Sequence, residues 1–234
     1  MPPTNTTLPE FVEVFRANFG DVKRLLEIHN ELGGDGPGRR HNLEVVHKSA
    51  VVLLVACWEA FIEDMATAGF SFLLENANDH KAFPDTVLIQ AIKPLREKKD
   101  DREIWKIADT GWKSVLEVHR EQILKSHVGK LNTPKPDQID SLYNKLLGIS
   151  KISNSWKWSG MSSEHARDKL VKLVELRGSI AHRVGTSEPV RKAVVDDYIM
   201  FLRELCVMTS NDCRSHLLER TGKSPWSSYR RPDR

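Results

Sequence analysis

The segment Ser162–Arg183, SSEHARDKLVKLVELRGSIAHR, decides how this chain is read. Ala166, Leu170, Leu173, Val174, Ile180 and Ala181 fall on one side at about 100° per residue, so the segment reads as a helix with an apolar stripe turned to a core. Arg177 lies near the middle of that stripe and is expected to point inward. A guanidinium cannot shed its proton, and burying it unpaired costs at least several kcal/mol (roughly), so it calls for a carboxylate or a phosphate. His182, five positions on, stands about 140° away on an ideal helix. It reaches the surroundings of Arg177 only if the helix ends or distorts, a break that Gly178 and Gly185 make plausible.

Outward from this segment the pattern stays helical. Ser162 or Ser163 is suited to cap the helix. A helix is expected over 10–32, with Phe11, Phe15, Val22, Leu25, Leu26 and Leu32 near one face, and it stops at the glycine-rich stretch 33–38. That stretch follows a helix instead of a strand and lacks the lysine-serine ending of a phosphate loop, so it reads as a connector. The next helix, 43–76, is apolar around its whole circumference between Ala50 and Ile62, the mark of a central, surrounded helix. Glu59 interrupts it among Val52, Val55 and Ile62. That carboxylate either makes a structural bond at the rim of the core or pairs with Arg177.

The middle of the chain is more polar. Helices are expected over 85–97 and 102–125, with Pro94 and Gly111 as kinks or breaks, and over 137–147 after the turn signal at 131–136. SNSWKWSG, 153–160, reads as a loop. A last long helix is expected over 190–218, with Pro189 suited to its first turn. The tail 221–234, with Trp226, Tyr229, Arg230, Arg231 and Arg234, has little to bury and is expected to be mobile. No strand alternation and no internal repeat is evident, so the fold class is all-α. Residues 1–220 are expected to form a single domain, with 81–150 as a more irregular helical insertion.

The 234 residues are 40% hydrophobic, enough for a sizeable core, and the formal charge of +3 permits nucleic-acid binding without requiring it. Of the three cysteines, Cys57 and Cys206 sit in apolar helical patterns and read as packing residues. The histidines, among them His41, His47, His119 and His127, show no paired metal-ligand spacing, so neither a metal nor a cofactor is expected. The first residues lack a basic stretch followed by an apolar one, and the longest apolar run, 50–58, is far below the roughly 20 residues that span a bilayer. A cytoplasmic protein with no membrane partner is expected.

Three segments together resemble the HEPN superfamily, and within it the RiboL-PSP type. VVLLVACWEAFIEDMA (51–66) is similar to that group's central helix, LNTPKPDQIDSLYNKLLGI (131–149) to the segment before its motif helix, and KLVKLVELRGSIAHR (169–183) carries the R-x4-H motif. The resemblance implies an all-α, HEPN-like helical bundle with an inserted helical segment. It also implies a metal-independent endoribonuclease that works as a homodimer, with Arg177 and His182 catalytic and two motifs facing one another. In such chemistry a base takes the 2′-hydroxyl proton, the oxygen attacks the adjacent phosphorus, and an acid protonates the leaving 5′-oxygen, which leaves a 2′,3′-cyclic phosphate. Histidine suits both proton transfers near neutrality, and the arginine fork suits the phosphate.

The residue after the arginine is commonly asparagine in active relatives, whereas here it is Gly178; Ser179 is the candidate to compensate. Glu59 and Ser179 are therefore supporting candidates, and Arg183, Lys157 and Trp158 are candidate RNA contacts, although a tryptophan in a loop also serves as a lid over the core. RNA is the expected partner, with an antitoxin or another defence-system protein as a further one. The alternative is a non-catalytic helical module that dimerises or binds a partner, with Arg177 as a buried partner of Glu59 and His182 and Arg183 favouring the helix C-terminus.

Overall fold

A computed structural model describes residues 9–33, 44–98, 100–183 and 189–229. The glycine-rich connector from 34 on, Gly185, the arginines of the tail, and the side chains of Leu32 and Arg183 lie outside the described residues. Among the described residues the chain is helical, with no strand beyond one antiparallel bridge between Trp158 and Met161.

Helix α1 (Glu10–Gly33) lays Phe11, Phe15, Phe19, Val22 and Leu26 on α2 (Glu44–Asn76). The rings of Phe11 and Phe15 meet Phe61 edge-on at 5.7 and 5.2 Å. α2 is the central element expected from its all-round apolarity. By length and composition it would suffice to cross a membrane, yet here it is enclosed by α1, α6 (Pro136–Leu147), α7 (Ser163–Arg183) and α8 (Lys192–Thr221). Its polar anchors are few: Tyr143 of α6 donates its hydroxyl to the Ile62 carbonyl at 2.9 Å, and His47 donates Nδ1–H to the Val190 carbonyl at 2.9 Å.

The 81–150 segment shares the one hydrophobic cluster through Val87, Ala91, Val115, Leu116 and Ile123. α3 (Asp85–Glu97) runs where expected and carries Pro94 in its last turn without ending there. The segment expected to be helical over 102–125 breaks before Gly111 as expected, but its first part is a 3-10 turn (Asp101–Ile107) and its second is divided at His119 into α4 (Gly111–Val118) and α5 (Arg120–His127). The cause is local. Asp100 caps the 3-10 turn by accepting from Arg102 N–H at 3.1 Å, and the chain then folds back so closely that a Cβ on Gly111 would meet the Lys106 carbonyl oxygen at 2.1 Å. α6 begins on Pro136 and ends on Gly148, whose φ of 80° permits the left-handed cap.

The N-terminal half of α7 is fixed by a charged clamp. Arg167 donates to Asp140 at 2.8 Å and to Asp137 at 2.5 Å, both on α6. Asp140, itself buried, also accepts from the Ser153 amide and hydroxyl at 2.8 and 2.7 Å, and Arg167 touches Ser153 as well. Ser162 caps α7 by accepting from His165 N–H at 3.2 Å.

Two expectations are corrected at the C-terminal end. Pro189 precedes α8 instead of lying in its first turn, because the backbone is still extended at Arg191. The tail is not free as far as Tyr229. Trp226 packs edge-on against Phe11 at 5.1 Å, its carbonyl accepts from Arg214 Nε at 2.7 Å, and Asn211 bonds both the Tyr229 amide (2.8 Å) and carbonyl (3.0 Å). The tail thus has something to bury, supplied by α1 and α8. Trp226→Ala is expected to lower the free energy of unfolding by about 1–2 kcal/mol in urea titrations; an unchanged midpoint would mean that the tail contributes nothing.

Candidate active site

Along α7 the side chains emerge progressively from the core. Ala166, Leu170, Leu173 and Val174 are buried, 176–180 are half-buried, and Ala181 and His182 are exposed. Arg177 therefore sits at the boundary of the stripe and not within it. Periodicity sets its direction, but at this point of α7 the side chain is only half-buried. Ala181, expected on the buried stripe, is in solvent.

Glu59 of α2 stands across from Arg177. Burial pushes the Glu59 carboxyl up from its ordinary range, and the Arg177 charge partly offsets that rise. The two lie within electrostatic reach but not within ion-pair contact, and among the described residues the Arg177 guanidinium makes no hydrogen bond. The expected Glu59–Arg177 partnership is thus a through-space attraction that leaves the donor fork open.

One turn further along α2 lies Glu63, which the sequence reading misses. Burial, reinforced by the charges of Glu59 and Asp64, raises its carboxyl from 4.5 to about 6. A signal for it exists: Glu59 and Glu63 are spaced i, i+4 on an otherwise apolar helix, which puts two carboxylates on one face. The face of α2 near Arg177 is thus acidic, half-dry and partly protonated at mildly acidic pH.

Contrary to expectation, Gly178 does not break the helix. α7 continues to Arg183, and nothing lies within 4 Å of where a Gly178 Cβ would be. On an unbroken helix His182 stays about 140° around from Arg177, so one chain does not bring the pair together. The Ser179 hydroxyl donates to the Leu176 carbonyl at 2.8 Å, a bond within the helix.

The basic-aromatic segment before α7 is mostly structural. Trp156 is fully buried and donates its indole N–H to Thr209 at 2.9 Å. Trp158 is half-buried against Phe201, ring centroids 6.1 Å apart, and pairs with Met161 across a tight turn closed by Gly160 at φ 80°. The lid reading thus describes both rings, while Lys157 between them is exposed. Among the described residues no three His, Cys, Asp or Glu side chains stand together as a metal-ligand set.

The family model of the RiboL-PSP-HEPN domain matches residues 17–214. The chain belongs to the RiboL-PSP-HEPN family. The match takes in the central helix α2, the clamp between α6 and α7, and the whole R-x4-H segment, so the HEPN-type all-α bundle is the family's own architecture. No curated protein and no solved structure matches the chain. A HEPN domain suggests a nuclease or RNA-related role.

The Glu63 carboxyl gives a test of the acidic face. The folded chain holds that proton more tightly than the unfolded one, so the stability linked to Glu63 falls as pH rises from 4.5 through about 6 and stays lost above. Because the side chain keeps contact with water, the effect is discounted to under about 1 kcal/mol. Glu63→Gln is expected to be more stable than the parent chain at pH 7.5 and equal to it near pH 4, read by urea unfolding at both pH values. An equal difference at both would remove the titration as its cause.

Proposed function

We propose that the chain is a metal-independent endoribonuclease that acts as a homodimer. The observation that carries this reading is the state of the motif on α7: an arginine fork without a hydrogen-bonding partner among the described residues, and an exposed His182, both on the part of the helix that leaves the core. One chain holds them about 140° apart. A second copy packed on the half-buried face around Leu176 and Ile180 supplies the groups that one copy cannot assemble.

In the resulting cleft Arg177 binds the scissile phosphate and offsets the charge that builds on its oxygens. One His182 imidazole accepts the 2′-hydroxyl proton as the 2′-oxygen forms its bond to phosphorus. The other, as imidazolium, gives a proton to the 5′-oxygen as that P–O bond breaks. The products are a 2′,3′-cyclic phosphate and a 5′-hydroxyl, and no electrons are exchanged. Glu59 attracts Arg177 toward α2 by charge, without occupying its donors.

A non-catalytic dimerisation or partner-binding module is the second reading. It is favoured by Gly178, which offers no side chain where active relatives commonly carry asparagine, and by the Ser179 hydroxyl already bonded to Leu176.

Incubation of the purified chain with mixed RNAs in EDTA, followed by end-group analysis, separates the two. The nuclease is expected to release cyclic-phosphate ends, with Arg177→Ala and His182→Ala each slowing cleavage at least about 100-fold. Gly178→Asn, placed where the helix surface is open, is expected to raise the rate. A folded dimer that leaves every RNA intact, both as the parent chain and as the Gly178→Asn variant, would favour the module.

A further inference from the structure

A cleft of about 760 Å³ lies between α3, α5 and α6, and none of its lining residues comes from α7. Its volume is within the range of small-molecule sites, roughly 300–1,000 Å³. Leu131 and Leu142, both buried, and Pro94 give it an apolar side. Beside them is an ordered polar group: Gln90 donates to the Ser126 hydroxyl at 2.7 Å, and its carbonyl oxygen accepts from His127 Nε2–H at 3.1 Å. Gln122 and Gln138 add further amides.

The charges in this cleft are unbalanced. Asp137 is taken by Arg167 at 2.5 Å, and Glu97 lies 3.9 Å from Lys93. Lys130 and Lys145 line the cleft and make no ion pair among the described residues. Both are near enough to His127 to press its pKa further below the ordinary range, after the larger effect of burial. Two ammonium groups without ion-pair partners stand near one half-buried imidazole, and an anion placed on them would supply the missing counter-charge.

We propose that this cleft binds a nucleoside phosphate, with the phosphate on Lys130 and Lys145 and the base between the apolar side and the glutamine amides. A bare phosphate would leave most of the volume empty and the amides unused. An extended RNA strand calls for cations strung along a track, whereas here the free lysines converge on one imidazole. The site is independent of the nuclease reading.

Calorimetric titration of the full chain with adenosine and guanosine mono- and triphosphates, and with pyrophosphate as the base-free probe, tests it. Saturable one-to-one binding with a Kd below about 1 mM is expected for at least one nucleotide, tighter than for pyrophosphate. The double variant Lys130→Gln, Lys145→Gln changes only exposed side chains, so it should keep the parent Tm, and it is expected to weaken binding at least about tenfold. Arg177→Ala is expected to bind like the parent, which separates this site from the motif. The proposal is overturned if no nucleotide binds at millimolar concentration, if the lysine substitutions leave binding unchanged, if pyrophosphate binds as tightly as any nucleotide, or if single-stranded RNA binds through these lysines while mononucleotides do not.

Discussion

The enclosure of α2 is the constraint on which the rest depends. A 33-residue helix with apolar side chains on every side is stable in water only when other helices cover it, and α1, α6, α7 and α8 do so. Each covering helix must then present an apolar face at the place where α2 needs one. Carboxylates on such a helix have few places to stand. Glu59 and Glu63 occupy the rim beside the emerging part of α7, and both carry the mark of that position in a raised pKa caused first by desolvation.

The same constraint divides α7 into two parts. Its first half is locked: Leu170 and Leu173 are buried, and Arg167 is held by Asp137 and Asp140 on α6. Asp140 and Arg167 are largely shielded from water while Asp137 is exposed, so the Arg167–Asp140 pair is the member that costs most to break, and this half is held in position as well as packed. Along the second half exposure rises, from half-buried Arg177 and Gly178 to exposed His182. A fixed first half limits the orientational freedom of the groups that follow it on the same helix, as the proposed nuclease requires. Glu59 attracts the arginine to α2 without taking up its donors.

Much of this is legible in the sequence where a local rule decides the outcome. The all-round apolarity of 50–62 marks the central helix, the serine before 163 marks the α7 start, and Pro136 with Gly148 bracket α6. Three features are not legible, each because contacts with other parts of the chain decide it. The tail is ordered through Tyr229 because Phe11 and Asn211 receive it. The depth of Arg177 depends on how closely other elements pack at that point of α7, which periodicity does not encode. The intrinsic propensity of Gly178 favours a helix break, but the packing of its neighbours carries the helix through. Glu63 is a different case: its spacing from Glu59 is visible, but the apolar run around the pair makes Glu59 alone stand out.

The central claim is that the projecting end of α7 is half of a site completed by a second copy. Cross-linking of His182→Cys measures this most directly, because Cys57, Cys206 and Cys213 are buried and do not compete for oxidant. The account predicts that mild oxidation converts the variant to a covalent dimer while the parent chain stays uncross-linked. A variant that remains a monomer on a denaturing gel, although the parent chain is dimeric in solution, would contradict it, since the two motifs would then lie apart.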